Sequence, residues 1–181
     1  AARYVVWWNL PDSAWYSWSA ASGNSVRLTD NRTVPFYDEE NDVPDYPGDY
    51  GLAAWLEGDE ALLVYDRYDL WKIDPEGKKK PQRLTDGRNS KTEFRYIKLD
   101  PEEKSIPVGK SLLMHKFNEE TKSEGYTWLN ILGPNPPANM SPYVPFLKPK
   151  WAEGYAYPKN VIKARYDDIF LYSRENYATF P

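Results

Sequence analysis

The chain has 181 residues, a formal net charge of −4 and a pI near 5.2. That balance argues against nucleic acid as its main partner, because phosphate binding needs a cationic surface. It has no cysteine, which excludes a disulfide framework and thiolate metal sites, and no apolar run long enough to span a bilayer. Its 8 Trp, 15 Tyr and 16 Pro, set in short apolar runs between turn formers, point to an all-β chain. The N-terminus lacks a signal-peptide pattern and enters an apolar run at once, as expected of a chain that starts in mid-domain.

Taken in order, Val5-Val6-Trp7-Trp8-Asn9 reads as a strand, Trp15-Tyr16-Ser17-Trp18 as a second, and Arg27-Leu28-Thr29-Asp30 as the end of a third. All three recur. Leu62-Leu63-Val64-Tyr65-Asp66 matches the first at an offset of 57, Leu70-Trp71-Lys72-Ile73 the second at 55, and Arg83-Leu84-Thr85-Asp86 the third at 56. Matched order with drifting offsets is the signature of one repeated unit with small loop changes. In the second unit a first strand, Leu52 to Trp55, precedes the turn Glu57-Gly58-Asp59-Glu60, and Asp74-Pro75-Glu76-Gly77 makes a second turn. Four antiparallel strands in a short repeat make one propeller blade.

A third unit offers Phe94 to Leu99, Leu112 to Phe117 and Tyr126 to Ile131, and its fourth strand is lost in a proline-rich segment, 133–149. A fourth unit offers Asn160 to Ala164 and Asp168 to Tyr172. The expected fold is therefore a fragment of a β-propeller, about three four-stranded antiparallel blades. Its units lie roughly at 3–30, 50–86, 93–140 and 155–181, with an acidic insertion at 30–50. A β-sandwich is the alternative, and no sustained 3.6-residue period supports long helices. The terminal strands Tyr4 to Trp8 and Asp168 to Tyr172 each lack a neighbour in this scheme, so self-association through the cut blade edges is expected.

These motifs carry a family resemblance. Ala54-Trp55-Leu56-Glu57-Gly58-Asp59-Glu60-Ala61-Leu62 resembles the first turn of blades in the prolyl oligopeptidase family, Asp69-Leu70-Trp71-Lys72-Ile73-Asp74 their third strand, and Arg83-Leu84-Thr85 their ending. Val34 to Glu40 and Arg174 to Pro181 resemble segments of acylaminoacyl-peptidase-like and dipeptidyl-peptidase-like members. The resemblance implies a serine peptidase in which a propeller gates and positions peptides for an α/β-hydrolase domain that this chain lacks. A TolB-like or tricorn-like interaction scaffold without peptidase activity shares the same blade motifs. A periplasmic or secreted parent is favoured, and no cofactor is expected.

No catalytic constellation is expected within the chain. The G-x-S-x-G elbow that exposes a hydrolase serine is absent, since Gly23 to Arg27 and Gly109 to Leu113 lack the second glycine. The sole histidine, His115, lies in an expected strand, and a triad needs a free general base. The acidic insertion is the functional candidate. From Thr33 to Asp66 there are ten acidic residues and no Lys, Arg or His, which gives a negative potential that attracts cations. Three readings stay open: a solvated loop; a Ca²⁺ site from Asp38, Glu40, Asp42 and Asp45 as hard oxygen ligands; and, as the resemblance implies, a Glu39–Glu40 pair that grips a peptide's α-ammonium group. The stretch Asn41 to Tyr50 sets that pair further from Trp55 than in the family's motif.

Overall fold

The computed structural model describes residues 3–107 and 109–131. They form ten strands, all antiparallel within their sheets: β1 (Tyr4–Asn9), β2 (Ala14–Ser19), β3 (Ser25–Arg27), β4 (Leu52–Trp55), β5 (Leu62–Tyr65), β6 (Leu70–Ile73), β7 (Gln82–Arg83), β8 (Thr92–Tyr96), β9 (Ser111–Asn118) and β10 (Glu124–Asn130). Each sheet is a meander: β1-β2-β3, then β4-β5-β6-β7, then β8-β9-β10. The only helical pieces among these residues are two 3-10 turns, Glu57–Asp59 and Arg88–Ser90. Gly58 takes φ +69 in the first, which a side chain would resist.

The chain is all-β, and the repeat read from the sequence is physical. In the first sheet the Leu28 N–H donates to the Trp15 carbonyl (2.8 Å), and the Trp15 N–H donates to Thr29 Oγ1 (2.9 Å). In the second sheet the Leu84 N–H donates to the Leu70 carbonyl (2.8 Å), and the Leu70 N–H donates to Thr85 Oγ1 (3.0 Å). The same Leu-Thr pair thus ends both units in the same way, with both leucines buried. The formal strands stop at Arg27 and Arg83 because the threonine hydroxyl replaces a backbone acceptor at that point.

The three sheets stack on one another. Alternation along β5 and β6 divides the second sheet between two cores. Leu62, Val64, Trp71 and Ile73 pack with Trp15, Leu28 and Phe36. Leu63, Tyr65 and Leu70 pack with Phe94, Leu112, Met114 and Leu129 of the third sheet. Polar ties cross each seam. Ser17 Oγ donates to the Pro75 carbonyl (2.7 Å). Trp55 and Leu56 bridge to Ile106, whose N–H donates to the Trp55 carbonyl (2.8 Å). A middle sheet buried on both faces suits consecutive propeller blades and equally a three-layered sandwich.

Boundaries differ from the sequence reading in small ways. The first strand of the third unit begins at Thr92, before Phe94, because Lys91 takes a left-handed conformation (φ +47) that turns the chain into β8. Gly87 admits that turn: a Cβ there would lie 2.0 Å from the Thr92 carbonyl oxygen. The fourth strand of the third unit, the unit at 155–181 and the strand Asp168 to Tyr172 lie outside the described residues.

The two clamps differ in one respect that can be measured. Thr85 Oγ1 also donates to Asp69 Oδ1 (2.7 Å), whereas Ala14 stands at the matching place in the first unit. Thr85→Val should therefore cost about 2 kcal/mol and Thr29→Val about 1 kcal/mol, each leaving a buried N–H unpaired and the former also stripping a donor from a buried carboxylate. Urea unfolding of the two variants checks this, and equal costs would remove the weight assigned to the Asp69 contact.

Candidate functional site

The acidic insertion is anchored, not loose. Phe36 inserts between the first two sheets and meets the Trp71 ring edge-on (centroids 5.4 Å, 64°). Tyr37 bridges antiparallel to Asp49, and the Asp38 N–H donates to the Gly48 carbonyl (2.8 Å), so the insertion returns on itself above this base. Trp8 Nε1 donates to the Pro47 carbonyl (3.3 Å). The Tyr50 hydroxyl accepts the Glu39 N–H (2.8 Å) and donates to Asp38 Oδ1 (3.3 Å). Burial first, and then the neighbouring Asp38 and Glu39 charges, push the Tyr50 phenol up to about 12, against the opposing Glu39 N–H. Tyr46, by contrast, is exposed at the tip.

Beneath the insertion lies the β5–β6 turn, Asp66-Arg67-Tyr68-Asp69. Asp66 and Asp69 are both 0% exposed. Asp66 Oδ1 accepts the N–H groups of Tyr68 (2.7 Å) and Asp69 (2.6 Å), and Oδ2 accepts Trp71 Nε1 (3.0 Å). Asp69 Oδ1 accepts the Thr85 hydroxyl and the Gly87 N–H (2.6 Å). The turn is thereby fixed from inside, and Arg67 and Tyr68 project from it. Burial raises the Tyr68 phenol, and its hydrogen bond to Glu119 adds to this.

Both glutamates of the insertion meet this turn and the loop after β7. Arg88 grips Glu39 with two nitrogens, Nη1 to Oε2 (3.1 Å) and Nη2 to Oε1 (2.8 Å), and also lies 3.4 Å from Asp66 Oδ2. Arg67 Nη2 donates to Glu40 Oε1 (2.6 Å) and, with Nε, to Glu119 Oε1 (2.9 and 3.1 Å). Tyr68 donates to Glu119 Oε2 (2.9 Å). Both guanidinium carbons stand 5.2 Å from the centroid of the Tyr68 ring, a favourable cation–π distance. Glu119 opens the β9–β10 turn, so one network ties the insertion, the second sheet and the third sheet together. Burial lowers both arginines' affinity for the proton, yet the hydrogen bonds that Arg67 donates to Glu119 and Arg88 donates to Glu39 outweigh it, and both end above the ordinary value.

The negative field inferred from residues 33–66 is thus partly answered by two cations that the sequence window did not contain. Three carboxylates that reach the surface (Glu39, Glu40, Glu119) and the buried Asp66 face two guanidiniums (Arg67, Arg88), which leaves the surface part of the network with one more carboxylate than guanidinium. Glu40 is its outermost member, with a side chain 69% exposed. The calcium set fares differently. Asp38 Oδ1 accepts the Glu40 N–H (3.0 Å), Asp45 Oδ1 accepts the Tyr46 N–H (2.7 Å), and Asp42 is exposed. Among the described residues no three His, Cys, Asp or Glu side chains gather to hold a metal ion. His115 lies within β9, with Nε2 3.0 Å from Glu124 Oε2 and its ring against Tyr126. A groove of about 310 Å³ is lined by the first copy of the repeat motif, Arg27 to Asp30, with Arg32 and Pro81, and includes none of the candidate binding residues of the acidic insertion.

Sequence reasoning missed Arg67, Tyr68, Arg88 and Glu119. Their partners lie 27 to 52 residues away, and the available signal was the paired aspartates that bracket Arg67-Tyr68. Comparison with known proteins returns no match: no family model fits the chain, and neither a curated protein nor a solved structure matches it.

The network implies an acid response. Burial works to raise the Glu119 carboxyl, but hydrogen bonds from Arg67 and Tyr68 prevail and hold it below its usual value. A depressed folded-state value stabilises the fold above the unfolded value of about 4.3, and this is lost as pH falls through the folded value. Glu119→Gln should therefore unfold at lower urea than wild type at neutral pH and lose less stability on acidification below pH about 4. Parallel pH profiles for the two proteins would remove Glu119 from the acid response.

Proposed function

We propose that the chain is a run of propeller blades serving a serine peptidase of the prolyl oligopeptidase family as a non-catalytic part. In this reading it admits peptides and orients them through their N-terminal amine for an α/β-hydrolase domain. The observation that carries the reading is the adjacent pair Glu39–Glu40, drawn toward one ring, Tyr68, by two guanidiniums. Fixed carboxylates with surplus negative charge suit an ammonium group with three donors. Holding them in place in advance also lowers the ordering cost of binding. The repeated Leu-Thr clamp, with the same hydrogen bonds in both units, supports the blade assignment, and the missing serine elbow supports a non-catalytic role.

A second reading has its own observation. Both glutamates already have arginine partners, which is what a scaffold needs in order to lock an insertion against two sheets. In that reading the chain is an interaction module of the TolB-like or tricorn-like kind.

Titration separates the two. Alanyl-alanine amide, with a free amine, should bind the chain at least about tenfold more tightly than its N-acetyl derivative, a difference of about 1.4 kcal/mol. Glu39→Gln/Glu40→Gln should abolish the preference while the far-UV circular dichroism is retained. Equal binding of both compounds, or binding of neither by the wild-type chain, favours the scaffold.

A further inference from the structure

The described sheets have six edge strands, and five carry features that discourage pairing with another chain. β3 is three residues long and ends on Arg27. β4 breaks register between Leu52 and Ala54. β7 is two residues long, follows Lys78-Lys79-Lys80-Pro81 and contains Arg83. β8 carries Glu93 and Arg95, and β10 starts on Glu124. Charges, short length and irregular register are the devices by which natural edges avoid association.

β1 has none of them. It runs six residues in unbroken register with β2, from Tyr4↔Ser19 to Asn9↔Ala14, and Tyr4 to Trp8 carry no charge and no proline. Among the described residues β2 is its sole ladder partner. Its counterpart in the repeat, β5, pairs on both sides, with β6 and with β4. The outward face beside the open edge is apolar as well. Val5 is 56% exposed and Trp18 37%, and the Trp7 and Tyr16 rings stack at 5.7 Å and 22°.

We infer that β1 is a self-pairing edge, which binds β1 of a second copy of this chain antiparallel across a two-fold axis. The place it fills is the one β4 fills on β5. A second copy fits for three reasons. An uncharged strand meets no like-charge repulsion from itself. Antiparallel pairing of identical strands closes after two copies. Centring the register on Val6 keeps both inner faces on one side and sets Val5 beside Trp7 of the other copy, so the two apolar patches join.

Sedimentation velocity on the full 181-residue chain, from about 1 to 100 μM, should show a monomer–dimer equilibrium. Val5→Lys, at an exposed side chain, should keep the circular dichroism spectrum and weaken the dimer by about tenfold or more. Val43→Lys, at a site equally exposed (57%) on the insertion, should leave it unchanged. Hydrogen exchange needs no variant: the β1 amides that point away from β2 should slow as concentration rises. A monomer throughout, a dimer indifferent to Val5→Lys, or β1 amides equally protected at every concentration would overturn the inference, the last by showing that the edge is covered within one chain.

Discussion

The structure depends most on the two aspartates buried at the β5–β6 turn. A carboxylate taken out of water is costly unless every lone pair is answered. Asp66 and Asp69 are answered by backbone N–H groups, a threonine hydroxyl, an indole N–H and the Arg88 guanidinium. That requirement fixes the turn, the exit of β7 and the Gly87 corner together. Arg67 and Tyr68 can point only outward from such a turn, and the route of the chain at Gly87 places Arg88 beside them. The network that holds Glu39, Glu40 and Glu119 is therefore a consequence of burying two acids three residues apart in the turn below it.

Local periodicity and turn chemistry were legible in the sequence. Strands β4, β5, β6 and β9 were visible as short apolar runs bounded by Asp, Gly and Pro, and the Arg-Leu-Thr-Asp repeat marked equivalent positions that share the same hydrogen bonds. Strand ends were less legible. Lys91 adopts a left-handed conformation that its residue type does not announce, and this moved the start of β8. The repeat also concealed a difference, because Ala14 and Asp69 occupy equivalent places and only one of them can bind a threonine hydroxyl.

The charge network was the least legible part. A window from Thr33 to Asp66 shows acids alone, and its electrostatics change only when the fold returns Arg67 and Arg88 to it. Sequence distance hides such compensation, since ion pairs carry no periodicity. The insertion's aromatics were easier to place in kind than in role: Phe36 is core, Tyr50 orders the Glu39 backbone, and Tyr46 stays in solvent.

The division of the second sheet between two cores also sorts the indoles. Trp15 and Trp71 lie in the core shared with the first sheet, and Trp8 and Trp55 pack against it. The core shared with the third sheet is built from Leu, Ile, Met, Phe, Tyr and Ala, with no tryptophan. Intrinsic fluorescence is consequently a weighted reporter. The parting of the first two sheets uncovers the buried indoles, whereas on the third sheet Trp128 is already 37% exposed, so among the described residues an optical melt leans toward the first seam.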